Sequence, residues 1–178
     1  MDTLIQLLRD HPDDPSISAL IQDAESRSDI DLKKQSDLLS GVWELRWSSA
    51  SQPWLKQAGW LENLQILDPA QGRGMNVLRF NGPLRQLAAI TVEAELTIIS
   101  ATRVSVRFRK GGWMGPGLPG GRRIALMKTV NQGFPAWLEI TALDDTLRIC
   151  RGNAGTTFAL LKREDMAVSD FISAFPKA

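Results

Sequence analysis

The sequence predicts a mainly β fold of consecutive antiparallel strands, led by helices and followed by a short terminal helix. Three observations carry this. From Gly41 onward, apolar residues recur at every second position through run after run, which is the period of half-buried strands. The runs are joined by short turns with no helical stretch between them, which argues against a parallel βαβ sheet and leaves a barrel or a sandwich. Before residue 40 and after residue 165 the apolar spacing changes to three and four, the period of helices.

The first forty residues read as helical. Leu4 to Leu8 predicts one short helix that stops at His11-Pro12. Ile17, Leu20, Ile21 and Ala24 form one stripe of a second, with Asp14 as N-cap ahead of Pro15. The chain is then polar until Leu38-Leu39. Trp43, Leu45 and Trp47 alternate with Val42, Glu44 and Arg46 in the first strand, so they share its inward face. Strands near 60–67 and 74–80 follow; in the second, Leu78 and Phe80 alternate with Val77 and Arg79.

The clearest alternation runs over residues 90–98 and is answered by residues 103–109. With a loop at 100–102, Ile99 opposes Arg103, Glu95 opposes Arg107 and Glu93 opposes Arg109 on the solvent side. A slip of one residue would set Arg107 against an inward apolar position. Further strands are expected near 122–130, 136–142, 146–151 and 156–163, with turns at Asp144-Asp145 and at 152–155. The strand count is eight or nine. Val168, Phe171, Ile172 and Phe175 predict the terminal helix. The chain thus divides into a helical segment, 1–40, packing on a strand-built body, 41–163, and a tail, 164–178.

The composition of 178 residues, 43% hydrophobic and 23% charged, is that of an ordinary globular domain. Cys150 is the only cysteine and His11 the only histidine. A disulfide framework, a thiolate zinc site, a multi-histidine metal site and a Ser-His-Asp triad are therefore excluded. Asp13/Asp14, Glu93/Glu95 and Asp144/Asp145 each have a structural explanation in a helix start, a strand face or a turn, so no catalytic residue is assigned. No signal peptide and no apolar run of about 20 residues is found, and an intracellular chain, soluble or peripheral to a membrane, is expected.

Charge is uneven despite a net +1. Residues 1–40 hold nine acidic and four basic side chains, whereas residues 73–128 hold ten basic against Glu93 and Glu95. A basic face of this kind suits anionic headgroups or the charged end of a ligand. Nucleic acid is not expected, because tyrosine is absent and the basic stretch lacks regularly spaced exposed aromatics. Residues 111–121 hold six glycines and no charge. Gly115, Gly117 and Gly120 match G-x-G-x-x-G in letters only, because Pro116 and Pro119 remove donors and a strand, not a helix, follows. This segment is expected to be a mobile lip displaying Trp113, Met114 and Leu118, with Arg107, Arg109, Arg122 and Arg123 around it.

Leu38-Leu39-Ser40-Gly41-Val42-Trp43-Glu44-Leu45 followed by Trp47-Ser48-Ser49 resembles the opening of the plastid lipid-associated protein (PAP/fibrillin) family. Leu143 to Asn153, with Gly155 and Phe158 to Leu161, resembles its ending, and the likeness spans about residues 15–163. The absence of a transit peptide points to a cyanobacterial-type member. The resemblance implies a lipocalin-like barrel associated with thylakoid membranes or lipid globules. It further implies binding of prenylquinones, carotenoids, tocopherols or fatty acids, without cofactor or metal. By analogy with the lipocalin Gly-x-Trp motif, Arg151, in phase with Leu147 and Ile149, is expected to cover Trp43 and close the barrel.

The inward faces then supply the ligand-binding set: Trp43, Leu45, Trp47, Leu78, Phe80, Val92, Leu96, Val106, Phe108, Ile124, Leu126, Leu147, Ile149 and Phe158. The leading expectation is a non-enzymatic carrier of small apolar molecules that touches lipid surfaces. The alternative is a cavity-free scaffold for an enzyme of isoprenoid or quinone biosynthesis.

Overall fold

The computed structural model describes residues 1–50, 59–86, 88–117, 123–133 and 135–172, without the side chains of 85–86, 116–117 and 123–124. Three helices, α1 (Asp2–Asp10), α2 (Ile17–Ser26) and α3 (Ser36–Leu39), precede the strands. These are β1 (Gly41–Ser48), β2 (Leu61–Asp68), β3 (Arg73–Phe80), β4 (Ala89–Ile98) and β5 (Arg103–Gly117). They continue with β6 (Arg123–Thr129), β7 (Ala136–Leu143), β8 (Leu147–Gly152) and β9 (Thr157–Lys162). The order is β4-β3-β2-β1-β9-β8-β7-β5-β6, and β4 also pairs with β5. That pairing closes eight antiparallel strands into a barrel and leaves β6 outside it as an extra strand. Closure removes the free edges that an open sheet would expose.

The β4–β5 hairpin has the expected register, with Glu95 opposite Arg107. A bulge then intervenes: Ala94 pairs with Phe108 but Glu93 pairs with Lys110, not with Arg109. The extra residue is Arg109, whose Nη2 donates to Glu95 Oε2 at 2.5 Å. The expected Glu93–Arg109 pair is therefore corrected, since a bulge moves every later pairing by one.

The glycine-rich segment, expected as a lip, is strand as far as Gly117. The lower half of β5 pairs with β7 through Arg103–Val106, and its upper half pairs with β6 from Lys110. At this fork Gln132 stands in for a strand. Its Oε1 accepts from Phe108 N at 2.7 Å and its Nε2 donates to Val106 O at 3.2 Å. Glycine serves close approach here, because a Cβ on Gly112 would lie 2.0 Å from the Leu126 carbonyl oxygen.

Both faces of the barrel wall are covered over much of its circumference. Leu4, Leu8, Ile17, Ile21 and Ala24 of α1 and α2 bury the outer residues Ala142, Leu147, Ile149, Ala159 and Leu161. On the far side, Ile172, with Met166 and Phe171 packed alongside, covers Val42, Leu64, Ile66 and Val77. The inner cluster joins Trp43, Leu45, Leu67, Leu96, Val104, Ile140, Cys150 and Leu160 to Leu32 and Leu39, which plug one end. Leu32 N anchors that plug on Ala101 O at 2.7 Å.

Two helix ends differ from expectation. Asp14 accepts from Ser16 N at 2.8 Å, so it holds the turn before α2 while Ser16 occupies the cap position. Of the terminal helix, one 3-10 turn at Val168–Asp170 lies among the described residues, and Phe175 lies outside them.

Candidate functional site

The closed end of the barrel is organised around Trp43, which is fully buried. Its indole Nε1–H donates to Leu39 O at 3.0 Å and ties the short α3 to β1. The Arg148 guanidinium carbon and Lys162 Nζ each stand 5.1 Å from the ring centroid, within cation–π range. Lys162 Nζ also donates to Leu38 O at 3.3 Å. Gly41 has φ +143°, and a Cβ there would meet Lys162 Cε at 2.5 Å. The glycine two residues before the tryptophan therefore makes room for the lysine stem.

The arginine over Trp43 is Arg148, not the expected Arg151. Arg151 lies outside the barrel, where its Nη2 donates to Glu25 Oε2 of α2 at 2.5 Å. The expectation took the apolar face of β8 as the inner one. That face, Leu147 and Ile149, in fact packs under α1 and α2, so Arg148 and Cys150 point inward. Burial pushes the Arg148 guanidinium below its ordinary value, with the Cys150 sulfur partly opposing. Burial likewise pushes the Cys150 thiol up, and the neighbouring cation opposes it. Cys150 is accordingly expected to resist an aromatic disulfide reagent in the native protein and to react stoichiometrically once unfolded. Rapid native reaction would contradict this placement.

Above the floor lies a cavity of about 310 Å³. Leu45, Leu67, Leu78, Leu96, Val106, Phe108, Leu138 and Phe158 supply its apolar lining. Small residues Gly74 and Ala94 leave the space open, and Trp137 stands at its side with Arg103 over the ring at 4.3 Å. Three amides, Asn63, Gln65 and Asn76, also line it. Sequence reading placed a strand near 60–67 but assigned neither of its faces, so these amides are absent from the expected set. The adjacent pair Gln65↔Asn76 across β2 and β3 is the signal that a register would have revealed.

Six members of the expected ligand-binding set line this cavity: Leu45, Leu78, Leu96, Val106, Phe108 and Phe158. Trp43 lies beneath it, in the buried cluster that includes Leu45 and Leu96. Val92 shares the inner face, opposite Asn76 and Gly111, without touching the cavity. Leu147, Ile149 and Trp47 pack in the outer cluster under the helices. For Trp47 the cause is a β1–β9 bulge after Leu45, which reverses its face. Phe80, Trp113 and Leu126 are exposed, because their stretches of strand run past the other end of the barrel. Met114 turns to the outer cluster beside Met75 and Met166. Leu118 and Arg122, and the side chains of Arg123 and Ile124, lie outside the described residues.

A family model described as PAP_fibrillin matches residues 7–161. The chain belongs to the PAP/fibrillin family. That family is lipid-associated and is not known for enzymes, which agrees with a mainly β barrel holding an apolar cavity. No curated protein and no solved structure matches the chain at a significant level. Among the described residues, no group of three or more His, Cys, Asp or Glu side chains could hold a metal ion. No described helix is long and apolar enough to cross a membrane.

The basic face of this PAP/fibrillin chain is partly neutralised in place. Arg109 pairs with Glu95, and Arg103 with Glu139 at 3.6 Å. The Arg109 guanidinium holds the Glu95 carboxyl below its ordinary value. Arg107 and Lys110 are exposed on β5, and Lys128 on β6.

Proposed function

We propose that the barrel carries small apolar molecules of the prenylquinone, carotenoid, tocopherol or fatty-acid class, non-catalytically. The chain would act at a thylakoid or lipid-globule surface. The observation that carries this reading is the cavity of about 310 Å³ with its wall of leucine, valine and phenylalanine. Burial of apolar ligand surface drives binding there at about 25 cal/mol per Å² before entropic costs. The volume lies near the lower end of small-molecule sites, about 300–1,000 Å³. It suits one ring or one hydrocarbon tail, with the remainder of a longer ligand leaving through the mouth. A scaffold without a ligand would need no such space.

The mouth supports the membrane half of the reading. Ile90, Trp113 and Leu126 stand in one row across β4, β5 and β6, and Leu126 is 69% exposed. Phe80 and Trp60 extend the apolar rim, their ring centroids 6.2 Å apart. An exposed apolar rim of this kind is the surface expected of a protein that meets lipid. Exposed Lys110 and Lys128 add attraction to anionic headgroups.

The direct test is to fill the cavity. Ala94→Trp projects an indole into it from β4 and is expected to weaken binding of a short-chain ubiquinone at least tenfold. Unchanged near-ultraviolet circular dichroism outside the added band would show the fold intact. Undiminished quinone binding by this variant would refute the interior site. Separately, Ile90→Ser with Leu126→Ser is expected to cut co-sedimentation with anionic vesicles several-fold, and equal sedimentation would refute the mouth as the contact.

A further inference from the structure

Arg148 is a fully buried cation whose Nε and Nη1 have no hydrogen-bond partner. Among the described residues no carboxylate pairs with it. Its Nη2 donates to Gln65 Oε1, and its flat face lies over Trp43. A buried charge with unmet donors is expensive, because each lost water contact is uncompensated. Lys162 is a second cation at this end, with the Asp145 carboxylate acting on it, so Arg148 is the one left without an acidic neighbour among the described residues.

Gln65 connects this charge to the cavity. Its Oε1 is committed to Arg148, which fixes the amide orientation and leaves Nε2 as a donor. Gln65 lines the cavity beside Asn63 and directly opposite Asn76 on β3. The remaining wall, from Leu78 to Phe108, is apolar. One wall of the space, along β2 and β3, therefore carries amides backed at Gln65 by a positive charge, and the facing wall suits a hydrocarbon.

We infer that the cavity selects amphiphiles with a carboxylate head, seated at Gln65 with the Arg148 charge behind it and the tail toward the mouth. This rests on the cavity being a binding site, as proposed above. An anion placed there accepts from the Gln65 amide and lies on the far side of that amide from a cation with no carboxylate partner among the described residues. The ligand head completes the polar network, and a charge-assisted contact of this kind is stronger than a neutral one.

The test compares dodecanoate, its methyl ester and dodecane on the intact chain at pH 8, by titration calorimetry or competition. Dodecanoate is expected to bind at least tenfold more tightly than the ester, and the preference should fade as pH falls through the titration of the free acid. Arg148→Met and Gln65→Leu are each expected to reduce the preference below about threefold while ester affinity is kept. The wild-type series needs no variant to fold, and Gln65→Leu leaves the cation–π stack in place. Equal affinity for acid, ester and alkane would overturn the head-group assignment and leave the cavity reading standing. An acid preference that survives in both folded variants would also overturn it. Binding of none of the three would overturn both.

Discussion

Trp43→Ala is expected to lower the unfolding free energy by about 5 kcal/mol, at the upper end of the 3–5 kcal/mol typical of a buried aromatic truncation. The ring is fully buried and is flanked by Arg148 and Lys162 at 5.1 Å each. Truncation thus opens a void and also strips the buried Arg148 and the partly buried Lys162 of their shared aromatic face, worth about 0.5–2 kcal/mol each. It further removes the indole donor that holds Leu39 O and hence α3. For a chain of this length each kcal/mol moves the melting temperature by about 2–4 °C, so a fall of at least 10 °C is expected. Trp43→Phe separates the contributions. It keeps most of the ring and loses the hydrogen bond, so its cost should stay near 2 kcal/mol. Urea denaturation followed by circular dichroism measures both, and a loss below about 2 kcal/mol for Trp43→Ala would contradict the account of the closed end.

Strand positions were legible because alternation is a local property. Each of the nine strands lies where a period of two and its turn residues place it, except that β5 runs on beyond the expected end through the glycines to Gly117. The β4–β5 register followed from charge pairing, and Glu95 does oppose Arg107. Which face looks inward was less legible. Alternation distinguishes two faces of a strand but does not say which one encloses the barrel when helices cover the other. In β8 the residues Leu147 to Cys150 are all buried, so Leu147 and Ile149 gave a strong pattern for the wrong side. In β2 the apolar pair Leu64 and Ile66 serves the outer cluster, which leaves Asn63 and Gln65 for the cavity.

Bulges were hidden for a different reason. One extra residue costs little locally, yet it reverses every side chain beyond it, as at Trp47 in β1 and at Arg109 in β5. The glycines of 111–117 misled because glycine in a strand interior is normally unfavourable. Here Gly112 is required where β6 pairs closely beside β5, a tertiary constraint that no local window contains. The most informative residue of the site, Arg148, falls on the solvent side under the same phase that brings Arg151 inside. A cation at the centre of a barrel runs against the ordinary rule that charge stays at the surface.

Glu62→Ala is expected to cost about 3–4 kcal/mol and to loosen the terminal segment. Glu62 is 3% exposed, and its two oxygens accept from Arg79 Nε at 2.7 Å and Arg163 Nη1 at 3.2 Å. Arg163 also reaches Glu44 at 3.0 Å and grips both oxygens of Asp165 at 2.7 Å. These contacts, Asp165 foremost, hold its guanidinium above the ordinary value, so it stays charged across the working pH range. Glu44 in turn accepts from Arg46, which donates to Leu8 O and Arg9 O at the end of α1. The chain of ion pairs therefore ties the first helix, β1, β2 and β3 to the turn that leads into Ile172. Removing one carboxylate from such a set leaves the Arg79 guanidinium, among the described residues, with the Met166 sulfur at 3.5 Å and the Phe171 ring at 5.4 Å. That uncompensated charge is what makes the loss large. Glu62→Gln keeps the shape and one acceptor, so about half the cost should remain. Hydrogen exchange should show the amides of Phe171 and Ile172, which donate to Val168 O at 3.1 and 2.9 Å, losing protection before those of β8. Equal protection in variant and wild type, or a stability loss under about 1 kcal/mol, would mean that apolar packing alone holds this segment to the barrel.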